Sequence, residues 1–414
     1  MKISVIGLGV AENASLTVQA LQALQNADLV IGSARQLLTL DAILTAQKAA
    51  LLPKLTQLKT LIKSAENVVV LGSGDPLYYG IGSWLTKQFT DISIAFFPAL
   101  SSITQACHCL AIAQQDVKVV SLHGRPLLKL KVCLKAQQTL LILTDKHSQP
   151  QQLAALCLET GFTEAKITVC ERLGYAEQKL STFNVNELIN NRITFDTLHV
   201  SFLFCGKNSG YLPEFAGIKD SYFETGELGE KGLISKREVR LAILSLLQLQ
   251  KEDLLWDIGA GCGAVSVELA YWQPQATVYA IEHHQARFDC LLQNQQKFGV
   301  LSNLKPILGR APAVLSQLPQ ANKIFIGGSD GELANLLSSL WGNLAEGGQI
   351  VASAVMEKSK SQLLDFYQQR LELGDCDLET LQIAINKGSS LARQLIYRPA
   401  LPVSLFSFIK REKK

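Results

Sequence analysis

The sequence predicts an α/β protein of two consecutive domains, and three observations predict it. Short β-rich runs alternate with longer helical stretches through the first half, a polar segment interrupts that rhythm, and the rhythm then restarts and continues almost to the end. The length of 414 residues also accommodates two or three domains at about 150 residues each.

From residue 1 to 207 the runs ISVIG, VVVLGSG, KVVSL, TLLILT, KITVC and LHVSFLFCG read as strands, with helices between them such as those over 15–26 and 77–89. That alternation predicts largely parallel strands joined by right-handed crossovers. Residues 208–232 lose both periodicities and set Glu214, Asp220, Glu224, Glu227 and Glu230 against Lys219 and Lys231, so they read as a linker. The second domain, 233–414, opens on a helix over 236–249 and continues with DLLWDIGAG, TVYAIE, LKPILG, KIFIGGS and QIVASAV as strands. In its tail QIAINKG, QLIYRP and VSLFSFIK read as antiparallel strands closing the sheet.

Composition excludes several classes of function. Hydrophobic residues make up 48% and charged ones 18%, enough apolar surface to offset the ordering entropy of a folded chain, so extended disorder is excluded. Lys and Arg number 39 against 36 Asp and Glu, too even a balance for the basic stripe of a nucleic-acid binder. The nine cysteines are odd in number and form no CxxC pair, which predicts reduced thiols in a cytoplasmic protein and no zinc or other metal framework. No apolar run approaches the ~18 residues of a membrane span. The N-terminal run ends in glycines and Glu12 without a small-residue cleavage pattern, so it reads as a buried first strand and not as a signal peptide.

The strongest chemical signal lies in the second half, where Trp256-Asp257-Ile258-Gly259-Ala260-Gly261-Cys262-Gly263 ends a strand and opens a helix near Val265. Glycines let the backbone turn sharply and approach a ligand, and the helix N-terminus turns amide hydrogens outward. Gly259, Gly261 and Ala264 equally satisfy the G-x-G-x-x-A pattern of dinucleotide enzymes. Glu282, at the end of the next strand, is placed to accept both hydroxyls of a ribose, which says adenosine without saying which cofactor. Asp257 before the glycines, and Gly309-Arg310-Ala311-Pro312 placed to wall an adenine ring, favour S-adenosylmethionine. Ser235 and Glu238 form a capping-box pattern, and Ser235 is also available to a ligand. Gly327-Gly328-Ser329-Asp330 follows the fourth strand, at the sheet edge where α/β enzymes place substrate.

In the first half, Gly7-Leu8-Gly9 alone signals only a tight turn. Gly72-Ser73-Gly74-Asp75-Pro76 combines a glycine loop with Asp75 as helix N-cap and Pro76 at the first helical position, and it reads equally as a ligand loop or a well-made helix start. Pro98-Ala99-Leu100-Ser101-Ser102 turns a strand end into a serine-capped helix, and Ser121-Leu122-His123-Gly124-Arg125 is a third polar loop. Three such loops at strand ends imply a cleft.

These strings carry two resemblances. KGLISKREVR, LWDIGAGCGAVSVELA, VYAIE, GRAP, IFIGGS and PVSLF, over nearly all of 213–414, resemble the C15-methylating, decarboxylating methyltransferases of cobalamin biosynthesis, which have a Rossmann-like class I methyltransferase fold. The resemblance implies that Ser235, Gly259, Ala260, Gly261, Cys262, Gly263, Glu282 and Ala311 bind S-adenosylmethionine, with Ser329 a positioning residue. IGLGVAENASLTVQALQALQNADLVIGSARQL, GSGDPLYYGIG, PALSSI, QQDVKVVSLHGRP, LTDKHSQP and ERLGY, over almost all of 1–207, resemble the C5-methylating branch of the tetrapyrrole methylase family. That family folds as two α/β subdomains around a cleft, and the resemblance assigns Gly72, Asp75, Tyr79, Ser101, Ser102 and Asp145 to S-adenosylmethionine. His123 and Arg125 become positioning candidates. The family's first loop usually reads Gly-x-Gly-Pro-Gly, and Val10-Ala11 depart from it here.

The order of the two resemblances is that of fused C5,15-methylating enzymes. They imply one S-adenosylmethionine per half, a tetrapyrrole (precorrin or cobalt-precorrin) substrate, decarboxylation of the C12 acetate, no nucleic-acid or membrane partner, and a homo-oligomer. Methyl transfer to carbon depends on positioning and desolvation, so no catalytic triad is expected. The macrocycle's carboxylates give Arg125, Arg237, Arg240 and Arg393 a steering role. Two other readings are a nicotinamide-dependent reductase using the glycine loop, and a cofactor-sensing module with one degenerate cleft.

Overall fold

A computed structural model describes residues 1–10, 12–44, 48–226 and 234–411. The chain divides into two compact units: Met1–Leu127 with Leu134–Gly210, and Leu128–Cys133 with Tyr211–Lys414.

The first unit holds two five-stranded sheets. One has the order β3-β2-β4-β1-β5, from β1 (Lys2–Gly7), β2 (Leu29–Gly32), β3 (Lys48–Leu51), β4 (Asn67–Gly72) and β5 (Ile94–Phe97), and all its pairings are parallel. Its strands are apolar on both faces. Ile3, Val5, Val68 and Val70 pack into one cluster while Ile6, Val69 and Leu71 pack into another, so a run such as VVVL does not alternate with polar residues.

The other sheet has the order β6-β7-β10-β8-β9, from β6 (Lys118–Ser121), β7 (Thr139–Leu143), β8 (Lys166–Glu171), β9 (Lys179–Asn184) and β10 (His199–Phe204). Only β6 and β7 run parallel; the remaining pairings are antiparallel. The expectation of largely parallel strands is therefore corrected here: β8 turns directly into β9, without the helix that a parallel crossover needs. Helix Ser102–Cys109 lays Ile103, Ala106 and Cys107 on this sheet against Leu141, Cys170, Val200 and Phe202.

In the second unit the sheet runs β13-β12-β11-β14-β15-β19-β16, from β11 (Leu254–Ile258), β12 (Thr277–Glu282), β13 (Leu304–Leu308), β14 (Lys323–Ile326), β15 (Gln349–Ala354), β16 (Cys376–Ile383) and β19 (Val403–Lys410). The first five are parallel, and β19 inserts antiparallel between β15 and β16. The tail strand VSLFSFIK closes the sheet as expected. QLIYRP does not: it forms β18 (Gln394–Pro399), which pairs with β17 (Asn386–Leu391) as a separate, mostly exposed ribbon.

From Tyr211 to Gly226 the polar segment is folded onto this unit. Leu212, Ile218 and Phe223 are buried, Gly217 N and Ile218 N donate to the Glu268 carboxylate at 2.8 and 3.0 Å, and Glu224 exchanges hydrogen bonds with Asn294. Residues 227–232 of the expected linker lie outside the described residues. All nine cysteines are free thiols, and seven are buried. Among the described residues no helix is long and apolar enough to cross a membrane, and no group of His, Cys, Asp or Glu is arranged to hold a metal.

Candidate functional site

A cavity of about 460 Å³ opens at the carboxyl ends of β11, β12 and β14. It is lined by Ser235, Asp257, Gly259, Ala260, Gly261, Glu282 and Ala311. Ser329 and Asp330 line it too, and His283, Arg287 and Arg310 join them. Gly259 has φ +73°, and a Cβ there would stand 2.7 Å from the backbone of Gly328, so the two glycine loops meet in a contact that admits no side chain. Glu282, 2% exposed, is held by its backbone neighbours: Gly261 N donates to Oε2 at 2.9 Å and His284 N to Oε1 at 2.8 Å. That fixes an anionic acceptor at the cavity wall. Asp257 is fully buried, and burial pushes its carboxyl up to about 7 despite the hydrogen bond from Ser266 Oγ. Its Oδ1 has no partner among the described residues, a cost that a donor entering the cavity would remove.

Two expectations are corrected here, the Ser235 cap and the steering role of Arg240, and four other expected residues stand outside the cavity lining. Gly263 adopts φ +81° and its missing Cβ makes room for Leu291, at 2.2 Å, while Cys262 is buried with its carbonyl accepting from Asn294 Nδ2; neither lines the cavity. Helix Arg237–Leu247 takes Lys236 as its N-cap without a side-chain cap, so Ser235 is not the cap and stands at the cavity instead. Arg240 is 0% exposed and cannot steer substrate: its Nε donates to Glu268 and its Nη1 to Asp220, both at 2.8 Å. Arg393 sits at φ +63° in the turn of the β17–β18 ribbon and Arg237 pairs with Glu238 at 3.3 Å; neither lines the cavity.

At the rim, acids stand beside Arg310 and His283, while Arg287 lines the cavity with no ion pair among the described residues. Arg310 lies 3.3 Å from Glu332 and 3.8 Å from Asp330, and His283 Nε2 lies 3.2 Å from Asp330.

In the first unit the tips of β1 and β4 and the turn after β5 converge. A Cβ on Gly7 would fall 1.8 Å from Gly74 O, and one on Gly74 would fall 2.7 Å from Ser101 Cα, so the three loops pack backbone to backbone. Ser101 caps helix Ser102–Cys109 by accepting from Thr104 N, as its sequence predicts. A cavity of about 190 Å³ beside them is lined from one sheet by Gly9, Val10, Arg35 and Ser73 and from the other by Cys170, Tyr175 and His199, with Ser102 between. Of the Val10-Ala11 departure, Val10 lines this cavity and Ala11 lies outside the described residues.

Asp75 is not a helix cap. Its Oδ1 accepts from Leu77 N in a local turn and the helix begins only at Gly82, because Gly80 and Gly82 press against Pro76 O and hold the chain in turns until then. Gly72 ends β4 and accepts from Leu8 N; Tyr79, at φ 57°, donates to Val119 O at 3.0 Å. Asp145 organises the loop of His123 and Arg125: the amides of Gly124 and His147 donate to it and hold its carboxyl below the usual range. Gly72, Asp75, Tyr79, Ser101, His123, Arg125 and Asp145 stand outside the lining of the cavity. Arg35, Tyr175 and His199 line it without having been singled out, although they stand in the strings IGSARQL, ERLGY and LHVSFLFCG. Only tertiary folding brings those strings to one place.

The sheet order of the second unit, with β19 antiparallel where a dinucleotide-binding sheet would continue in parallel, and its glycine cradle facing a fixed acid, are those of an S-adenosylmethionine-dependent methyltransferase. The nicotinamide-reductase and sensing readings find no support. Tetrapyrrole (Corrin/Porphyrin) Methylases match residues 2–189, and the Precorrin methyltransferase domain family matches residues 227–410. A precorrin-6Y C(5,15)-methyltransferase (decarboxylating) from Sinorhizobium is 32% identical over 412 residues, covering 99% of this chain and 96% of the relative. A cobalt-precorrin-6B C(15)-methyltransferase (decarboxylating) from Salmonella typhi is 30% identical over 195 residues, covering 47% of this chain and 97% of the relative. Among solved structures, a precorrin-6Y C5,15-methyltransferase from Geobacter metallireducens is 30% identical, covers 47% of this chain and 97% of its own, and has a TM-score of 0.43. The chain belongs to the family of decarboxylating precorrin-6Y C5,15-methyltransferases.

Proposed function

We propose that the first unit methylates C5 and the second methylates C15 of one precorrin or cobalt-precorrin, that the second also removes the carboxylate of the C12 acetate, and that each unit uses its own S-adenosylmethionine. The observation that carries this reading is that each unit has its own cavity at the carboxyl ends of its parallel strands. When bound, S-adenosylmethionine supplies an electrophilic methyl group. In the second unit Glu282 would take the ribose hydroxyls, since its carboxylate is already aimed by two amides. Gly259, Ala260 and Gly261 would let the cofactor lie against backbone, Ser235 and Ala311 would wall it, and Asp257 Oδ1 is open to a donor. Ser329, on the loop that Gly259 touches, would meet the macrocycle. The acids beside Arg310 offset its positive charge, which would otherwise hold back a departing carboxylate.

In the first unit Ser102, from the cavity wall, and Ser101 beside it are the proposed cofactor contacts, with Gly72, Asp75, Tyr79 and Asp145 shaping the loops around them. A cytoplasmic location accords with the nine free thiols.

Calorimetric titration of the full chain with S-adenosylhomocysteine tests the reading. Two sites per chain, followed by a product mass showing two added methyls and one lost carbon dioxide, are expected; one site, or a product with a single methyl, overturns it.

A further inference from the structure

Arg35 follows β2 in the first unit and reaches across the smaller cavity. Its Nη1 donates to Tyr175 Oη at 3.2 Å and its Nη2 to Ser73 Oγ at 2.9 Å. Both acceptors are neutral, and no described carboxylate pairs with Arg35, so the guanidinium charge has no counter-ion there. The acids beside Tyr175 are already engaged: Glu177 and Asp196 lie 3.3 and 3.4 Å from Arg172, whose guanidinium covers the Tyr175 ring at 5.1 Å.

The proton inventory points the same way. Ser73 Oγ accepts a second hydrogen bond, from Gln36 Nε2 at 3.3 Å. Gln36 is 8% exposed and is oriented by its capping box with Ser33, whose amide donates to Gln36 Oε1 at 2.8 Å. With its lone pairs taken, Ser73 has only its proton left to offer, and Tyr175, accepting from Arg35, likewise has its proton free. Among the described residues neither hydroxyl donates to any acceptor. The cluster therefore presents a cation and two O–H donors, and no carboxylate, to the cavity. A group that only accepts, and that carries negative charge, satisfies all three.

We infer that Arg35, Ser73 and Tyr175 form a carboxylate-binding site in the cavity of the first unit. The inference rests on the proposed function, which supplies two carboxylate sources: an acetate or propionate arm of the macrocycle, or the methionyl carboxylate of the cofactor. Arg35 is a binding and positioning residue. A planar guanidinium flanked by hydroxyls fixes the direction of a carboxylate as well as its charge, which a lysine ammonium does less well.

The test uses the full-length chain as wild type, Arg35→Leu, Arg35→Lys and Tyr175→Phe. S-adenosylhomocysteine binding is measured by calorimetry, and binding of the precorrin substrate by its own absorbance. If a macrocycle arm is the ligand, Arg35→Leu weakens precorrin binding about tenfold or more, raises KM for C5 methylation in step with little change in kcat, and leaves S-adenosylhomocysteine binding intact. Arg35→Lys recovers part of the loss, and Tyr175→Phe shows a smaller one. If the methionyl carboxylate is the ligand, one of the two proposed S-adenosylhomocysteine sites weakens instead. Unchanged affinity for both ligands in Arg35→Leu overturns the site. Absence of methyl transfer in the wild-type chain would count against the functional reading alone, because the binding comparison still decides the site.

Discussion

Arg240 and Glu268 form a fully buried ion pair, Nε to Oε1 at 2.8 Å, with both side chains 0% exposed. The pair ties helix Arg237–Leu247 to helix Ala264–Trp272, which follows the glycine loop. Around it Arg240 also donates to Asp220, Ser235 O and Ile218 O, and Glu268 accepts the amides of Gly217 and Ile218. One guanidinium thus anchors the polar segment around Asp220, within the second unit, and the backbone of Ser235 at the cavity.

Removing one partner leaves the other charged and buried. Arg240→Leu is expected to destabilise the second unit by about 3–5 kcal/mol in urea unfolding. It should weaken S-adenosylhomocysteine binding there only as a consequence, through the displaced Ser235. A variant as stable as wild type with a raised KM for the macrocycle would restore Arg240 to the surface role that its charge suggests in the sequence.

Glu282→Gln keeps the shape of the side chain but replaces one acceptor oxygen by a donor, which then faces the amide of Gly261 or of His284. Loss of a charge-assisted hydrogen bond predicts about a 10- to 100-fold weaker S-adenosylhomocysteine affinity at the proposed second-unit site, with the proposed first-unit site unaltered. Calorimetry resolving the two sites checks this.

Gly259→Ala places a methyl 2.7 Å from the backbone of Gly328 in a φ +73° conformation, so the two loops must separate. The expected result is a loss of at least about 1 kcal/mol in stability together with loss of C15 methylation and retention of C5 methylation, read from product masses. Equal loss of both methylations would show that the effect is not confined to the second cavity.

Asp257 makes stability depend on pH. Burial raises its carboxyl from 3.8 to about 7, so between those values the folded chain holds a proton that the unfolded chain has lost. Stability therefore falls as pH rises through that window, by an amount on the order of a few kcal/mol. Asp257→Asn does not titrate. Its melting temperature, measured without cofactor, should gain on wild type as pH rises from about 4 to about 8 and level off above, since both wild-type states are then ionised. A constant difference across the range would place the titrating group elsewhere.

Much of the fold was legible because strand identity is a local property. Apolar runs ending at glycines marked β1, β4 and β11, the run VYAI ending at Glu282 marked β12, and the glycine loop after β11 carried its positive φ angles in its composition. Three strands of the first unit were missed: β2 is LVIG, fully buried but only four residues long, β3 is KAAL, largely exposed, and β9 is KLSTFN. Helix starts failed where the loop was long. Pro76 after Asp75 satisfies every local rule for a helix start, yet close packing around Gly80 and Gly82 delays the helix.

The sequence by itself determined the α/β class, the two-part organisation, the glycine cradle and the acid at the end of β12, because each depends on residues close together in the chain. Only the tertiary structure decided the direction of strand pairing in the second sheet, the burial of Arg240 and the meeting of Arg35 with Tyr175 across 140 positions. Those depend on which distant segment supplies a counter-charge, a hydroxyl or a neighbouring strand. An arginine reads the same in sequence whether it ends between two carboxylates or facing an open cleft; its partners arrive only with the fold.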